Sequence, residues 1–237
     1  NPIKLGLGRL KSRGAKVVAI NPVRTGYGAI ADEWVGIRPG TDGLLAMALI
    51  HELLRMGRID LDYLVRYCNA HHLIVEAPGT AEHGLFARDT DSHILCWNRD
   101  TNAETPAGAN GISPVITGTH LLADGRVVKP VFEHVLTRYG SDDYSPEIAS
   151  ESCGISATTI RRLAAELAKA AFDHKRSLPI AWTDSNGNRH AEMPMRPVAM
   201  HAMRGISAHA NGFQTCRALH LLQLLLGAVD TPGSFRY

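Results

Sequence analysis

Two short segments of this 237-residue chain carry side chains that could hold a nucleotide. The first follows the apolar run 16–20 and contains Asn21 and Arg24. In an open α/β sheet, ligands bind beyond the carboxyl ends of the strands. An amide and a guanidinium at such an end can hydrogen-bond a ribose, a base or a phosphate. The same pattern is also compatible with a simple turn that carries a surface arginine.

The second segment is Pro39-Gly40-Thr41-Asp42, directly before a predicted helix over 43–56. Backbone N–H groups point outward at a helix N-terminus and attract anions, and a glycine there allows a ligand to approach closely. The carboxylate of Asp42 can accept two N–H donors from one edge of a guanine. The alternative is a capping sequence with no ligand, because Thr41 is a good N-cap residue.

Other common catalytic and metal-binding patterns are missing. The chain has neither a P-loop nor a G-x-S-x-G motif, and its four cysteines form no C-x-x-C pair. This argues against a disulfide framework and against a zinc or iron–sulfur site within the chain. The pair Gly6 and Gly8 lies in a predicted helix that precedes the strand, so it is not a dinucleotide-binding fingerprint. We therefore predict neither catalytic residues nor metal ligands here.

The composition narrows the possible partners. The chain is 45% hydrophobic and 20% charged, with a net charge of +2, which is typical of a globular protein and not of a disordered one. Aromatic residues make up only 6%, a poor supply for stacking on single-stranded nucleic acid. No apolar run is long enough for a membrane helix, so we expect no direct membrane insertion and no nucleic-acid partner. The first residue is not Met, and both ends suggest a piece of a longer protein.

The elements that must position the two segments predict an α/β fold. We expect an open, mostly parallel nucleotide-binding sheet flanked by helices, with a loop and hairpin insertion and a helical second half. The corresponding divisions are 1–76 for the α/β nucleotide-binding portion, 77–129 for the insertion, and 130–237 for a helical and α/β portion of the same region.

Local signals place the individual elements. The β-branched run 17–20 predicts an interior parallel strand, covered on both faces. Ser145 and Pro146 predict a helix start, and Gly154 a helix end. Ser156 predicts the cap of a helix that runs to Phe172. Further strands are predicted at 178–182 and 198–203, and a helix over 213–226 is apolar almost all round, which predicts burial.

Taken together, the motifs resemble those of the dimethyl sulfoxide reductase family of molybdopterin oxidoreductases, which bind two molybdopterin guanine dinucleotides. The similarity covers almost the whole chain in the family's order. Its segments are Asn1-Pro2, GAKVVAINPVRT at 14–25, IRPGTDG at 37–43, YSPE at 144–147, CGIS at 153–156 with Ile160, GISAHANG at 205–212, residues 219–227 and Pro232-Gly233. The segment 204–212 is most similar to catalytic subunits that act on sulfur oxyanions, such as sulfite, thiosulfate or tetrathionate.

The resemblance implies a set of cofactor-binding residues: Asn1, Asn21, Arg24, Pro39, Gly40, Asp42, His209 and Asn211. Asn21 and Arg24 would contact one guanine nucleotide, and Asp42 would lie near its base. Asn1 would lie by the pyrophosphate or the ribose, while His209 and Asn211 would face a cofactor. Asn21 departs from the family, which more often has aspartate here, so this position loses the charge assistance of a carboxylate.

The resemblance also implies parts that this chain does not contain. A 4Fe-4S cluster and the molybdenum ligand would lie upstream of Asn1, and a further cofactor-binding domain would lie beyond Tyr237. The chain alone would then be an inactive part of the enzyme. An intact enzyme would work with an iron–sulfur electron-transfer subunit, and possibly a membrane anchor subunit, at the cytoplasmic or periplasmic face of a bacterial membrane.

Two alternatives remain open on the sequence. A non-catalytic relative could keep the fold as a scaffold within a respiratory complex. Alternatively, Asn21 and Arg24 could serve an NADP-type nucleotide-binding half-domain, although no glycine fingerprint follows the first strand.

Overall fold

The computed structural model describes residues 2–173, 176–184, 187–202 and 204–234. The chain forms two compact units, each built from three separate segments. Unit 1 comprises 1–52, 142–166 and 202–222, and unit 2 comprises 53–141, 167–201 and 223–237. Both units mix helices with short strands, which confirms the α/β class.

The described helices are, in chain order, α1 (Pro2–Ser12), α2 (Asp42–Arg55), α3 (Leu61–Tyr67), α4 (Val131–Tyr139), α5 (Pro146–Cys153), α6 (Ala157–Phe172) and α7 (Gly212–Leu225). Short 3-10 turns occupy Gly26–Ala29, Asp142–Tyr144 and Arg204–Ser207. The described strands are β1 (Val18–Ile20), β2 (Glu33–Val35), β3 (Leu73–Val75), β4 (Leu95–Asn98), β5 (Ala103–Pro106), β6 (Pro114–Val115), β7 (His120–Leu121), β8 (Val127–Pro130), β9 (Ser177–Leu178), β10 (Trp182–Thr183), β11 (Arg189–His190) and β12 (Met193–Pro194).

The helix boundaries around α5 and α6 confirm the local signals. Ser145 caps α5 with its side chain, Pro146 occupies the first turn, and Gly154 ends the helix in the left-handed conformation at φ 72°. The Ser156 hydroxyl accepts the Thr159 N–H at 3.2 Å at the start of α6. These contacts satisfy backbone groups that a helix end leaves without a partner.

The sheet of unit 1 differs from the expected one. Strands β1 and β2 pair in parallel, with Val18 opposite Glu33 and Ile20 opposite Val35. Among the described residues this is the only parallel pair, and the other strand pairs are antiparallel. The expectation of a mostly parallel open sheet is therefore wrong for this part of the chain. The interior position of the first strand is also wrong, because β1 has one described neighbour and Ile20 is 37% exposed.

Unit 2 is built on antiparallel pairing. Its three-stranded sheets have the orders β3-β8-β7 and β5-β4-β6, and two further pairs join β9 to β12 and β10 to β11. One apolar cluster fills this unit: Leu73, Val75, Ala87, Leu95, Leu122 and Val128. The strand predicted at 178–182 is interrupted, because β9 ends at Leu178 and β10 begins at Trp182. Residues 198–202 form no strand, and Met203 lies outside the described residues.

Helix α7 is only partly buried. Leu222 and Leu225 are inaccessible to solvent, as expected from the apolar pattern, but Phe213 in the first turn is 73% exposed. None of the helices within the described ranges is both long and apolar enough to cross a membrane.

Candidate functional site

The loop 39–42 leads into helix α2, as the sequence predicted. Gly40 has a φ of +81°, a left-handed conformation that a side chain rarely tolerates. The Thr41 hydroxyl donates to the Arg38 carbonyl at 2.7 Å, which closes the turn before the helix. Asp42 is the first helical residue and is partly exposed. The first-turn N–H groups of α2 therefore adjoin a carboxylate and a glycine without a side chain.

The second part of the site is the N-terminus of helix α7. The Asn211 carbonyl accepts the Thr215 N–H at 2.9 Å, and the His209 carbonyl accepts the Gly212 N–H at 2.9 Å. Residues 209–211 thus form the turn that opens α7. Its N-terminal N–H groups, like those of α2, favour negative charge.

The structure brings these two helix starts together. The Asn211 side-chain amide donates to the Gly40 carbonyl at 3.2 Å. The His209 ring lies beside Gly40, so that a Cβ added at Gly40 would be 3.6 Å from its Nδ1. Four predicted site residues from chain segments about 170 positions apart therefore meet in unit 1: Gly40, Asp42, His209 and Asn211.

Close backbone approach between the same two helices supports this arrangement. A Cβ at Gly43 would lie 2.8 Å from Thr215 Oγ1 and 3.3 Å from Thr215 Cα. Both distances are shorter than ordinary van der Waals contact, so only glycine fits without a shift. Gly43 and Thr215 thereby set the spacing of the first turns of α2 and α7.

Asn21 and Arg24 form a turn at the carboxyl end of β1. The Asn21 N–H donates to the Val35 carbonyl at 3.2 Å, and its side-chain Oδ1 accepts the Val23 N–H at 3.2 Å. Its carbonyl accepts from the Trp34 indole at 3.0 Å. The Arg24 side chain is exposed, with its stem near Gly28. Because β1 and β2 are parallel, this turn and the segment that continues to Pro39 leave the same edge of the sheet.

Charged side chains fasten the opposite ends of these strands to α6. Lys16 Nζ lies 3.0 Å from the Glu33 carboxylate and 2.7 Å from that of Glu166. Arg162 pairs with both carboxylates, at 2.8 Å from Glu166. The hydrogen bond from Arg162, joined by that from Lys16, holds the pKa of Glu33 below its usual range. This network stabilises the β1–β2 pair and lies away from the proposed ligand groups.

Two further predicted contacts lie at the margins of the site. Asn1 lies outside the described residues. Pro39 is exposed and immediately precedes the left-handed Gly40. Within the described ranges, no three His, Cys, Asp or Glu side chains are grouped as a metal site.

Sequence reasoning missed three residues that shape the site: Arg38, Cys153 and Thr215. Arg38 contacts the end of α5, Cys153 contacts the Thr41 carbonyl, and Thr215 contacts Gly43. Their partners lie more than 100 positions away along the chain. No local pattern marks such residues, because their role exists only after distant segments have met.

Comparisons with known proteins test the family resemblance. The chain is 45% identical over its full length to a subunit of the sulfite dehydrogenase of Allochromatium vinosum, of which it covers 25%. This confirms the resemblance to molybdopterin oxidoreductases. The chain is also 25% identical to the formate dehydrogenase major subunit of Haemophilus influenzae, over 94% of the chain and 19% of that protein. A subunit of the tetrathionate reductase of Archaeoglobus fulgidus is 26% identical over 98% of the chain and 20% of that protein.

The structural comparison agrees with this relationship at the level of the fold. The structure matches acetylene hydratase from Pelobacter acetylenicus with a TM-score of 0.52 and 16% sequence identity, over 93% of the chain and 18% of that structure. No family model matches the chain. The chain spans about a quarter or less of the length of these molybdopterin oxidoreductase relatives.

Proposed function

We propose that this chain forms the part of a molybdopterin oxidoreductase catalytic subunit that holds the guanine nucleotide of a molybdopterin guanine dinucleotide. The observation that carries the proposal is the junction of two helix N-termini through the hydrogen bond from Asn211 to the Gly40 carbonyl. Two sets of outward N–H groups, next to a glycine and a carboxylate, match a ligand that combines a diphosphate with a guanine.

The residues present fit such a group. The first-turn N–H groups of α2 and α7 would bind phosphate oxygens, and Gly40 leaves room for them because no side chain projects from its left-handed backbone. The Asp42 carboxylate would accept the N1 and N2 protons of guanine. Asn21 and Arg24 would contact the ribose or the base from the neighbouring turn.

The remaining predicted contacts complete this assignment. His209 and Asn211 would face the cofactor from the turn before α7, and Pro39 would fix the approach to Gly40. Asn1 would contact the pyrophosphate or the ribose. When bound, the cofactor supplies the molybdenum centre for oxygen-atom and electron transfer. This chain's own residues bind and orient it.

The proposed substrate class rests on the relatives of the chain. Their names include a sulfite dehydrogenase and a tetrathionate reductase. We propose that the intact protein acts on a small sulfur oxyanion of the sulfite, thiosulfate or tetrathionate type. We further propose two dinucleotides per intact catalytic subunit, a 4Fe-4S cluster upstream, an iron–sulfur partner subunit with a possible membrane anchor, and a place at one face of a bacterial membrane.

The structure does not favour the NADP-type alternative. A dinucleotide-binding βαβ unit places the N-terminus of a helix directly after its first strand. Here β1 is followed by a short 3-10 turn at Gly26–Ala29 and then by β2. The pyrophosphate would lack its usual helix N-terminus at that end of β1.

Isothermal titration with simple nucleotides tests the proposal. The folded chain is titrated with GDP and with 2′,5′-ADP, which carries the adenine and 2′-phosphate of NADP. We expect binding of GDP in preference to 2′,5′-ADP. The reverse preference would support the NADP-type half-domain, and binding of neither would reject the nucleotide site and support the scaffold alternative.

A further inference from the structure

Arg38 connects the loop 39–42 to the C-terminus of α5. Its backbone N–H donates to the Cys153 carbonyl at 2.9 Å, and its guanidinium Nη1 donates to the Glu151 carbonyl at 2.7 Å. The last carbonyls of a helix have no partner within the helix, and they carry partial negative charge. Arg38 therefore supplies both a hydrogen bond and a positive charge where α5 ends.

The loop is attached to the same helix end at a second point. The Cys153 thiol contacts the Thr41 carbonyl at 3.6 Å, and burial raises the pKa of this thiol, which keeps it protonated as a donor. The Arg38 carbonyl accepts both the Thr41 hydroxyl, at 2.7 Å, and the Thr41 N–H, at 3.3 Å. The residues on either side of Pro39-Gly40 are thus anchored to α5 and to each other.

The path of the arginine side chain is also restricted. A Cβ at Gly154 would lie 3.4 Å from both Cγ and Nε of Arg38. The Arg38 stem therefore passes over Gly154, which has a φ of +72° at the α5 C-cap. This glycine permits both the end of the helix and the passage of the arginine.

We infer that Arg38 is a positioning residue that sets the direction in which the Gly40 backbone and the Asp42 carboxylate face a guanine nucleotide. This inference rests on the proposed function. A loop that contains glycine samples many conformations when its ends are free. Two anchors on α5 restrict these conformations before the ligand arrives, so that less ordering is required on binding.

The test compares the affinities for GDP and inosine diphosphate, which lacks only the 2-amino group of guanine. The folded chain is titrated as wild type, Arg38→Ala and Arg38→Lys. We expect Arg38→Ala to reduce the preference for GDP over inosine diphosphate by about tenfold, the value of one well-placed hydrogen bond. Arg38→Lys keeps the charge but not the planar fork, so its preference should be intermediate.

Arg161→Ala is the matched control. Arg161 also binds α5, through Glu147 at 2.7 Å, and its second carboxylate neighbour is Glu52 at 3.6 Å, which lies outside the loop. The substitution should lower the thermal midpoint and leave the nucleotide preference unchanged. A purely structural role for Arg38 predicts the same behaviour for Arg38→Ala.

The outcomes separate the inference from the proposed function. If wild type binds neither nucleotide, the proposed nucleotide site fails. If wild type prefers GDP and folded Arg38→Ala retains the full preference, the positioning role is overturned and the site stands. Should Arg38→Ala not fold, Arg38→Lys decides: a reduced preference supports the role, and an unchanged one overturns it.

Discussion

Asp42 provides the most direct test of guanine recognition. It begins α2 beside Gly40, and its carboxylate is partly exposed. If it accepts hydrogen bonds from N1 and N2 of guanine, each charge-assisted bond contributes about 1.5–3 kcal/mol to binding. Loss of one such bond in Asp42→Ala should weaken GDP binding by about 10- to 150-fold. Asp42→Asn should retain part of the affinity, because its amide oxygen can accept one proton while its NH₂ group faces guanine's donors.

The same substitution should affect the empty protein much less. A carboxylate in the first turn of a helix stabilises it by about 0.3–1 kcal/mol through the helix dipole. The turn before α2 also keeps the hydrogen bond from the Thr41 hydroxyl to the Arg38 carbonyl. The assay is titration with GDP and inosine diphosphate beside thermal unfolding without nucleotide. Unchanged GDP affinity together with a large loss of stability would refute the reasoning and make Asp42 a structural capping residue.

Two further predictions concern stability. Gly43→Ala should destabilise the chain by about 1–3 kcal/mol in urea unfolding, because the new methyl group overlaps Thr215; Gly6→Ala, with nothing within 4 Å, is the control and should be neutral or stabilising. Equal stability of Gly43→Ala and wild type would contradict the close approach of α2 and α7. Burial lowers the pKa of His71 to about 4, so the unfolded chain binds more protons than the folded one between pH 6.5 and 4, and His71 should cost about 3 kcal/mol of stability as the pH falls through this window. His71→Gln should flatten the difference in unfolding free energy between pH 7.5 and 4.5, and an unchanged pH dependence would rule out a neutral buried imidazole.

Elements that depend on neighbouring residues were predictable from the sequence. Ser145, Pro146 and Gly154 bound α5 as expected, because capping and left-handed glycine act within one helical turn. The start of α2 at Asp42 follows from the same local chemistry. Because the family motifs are short contiguous segments, they also identified Gly40, Asp42, His209 and Asn211 as candidates before any contact between them was known.

Pairing and burial depended on the tertiary structure. A β-branched run of residues signals a strand but not the number of its neighbours, so Ile20 was expected inside a sheet and is 37% exposed beside a single partner strand. The parallel or antiparallel direction of each pair is likewise set by chain segments that lie far apart. Arg38 shows the same limit at the site: its sequence marks it only as a charged residue before Pro39, and its anchor at Glu151 arises when α5 packs beside the loop. The sequence determined which residues could bind a nucleotide, and the packing of α2, α5 and α7 determined which of them lie together, because that proximity results from contacts between residues more than 100 positions apart.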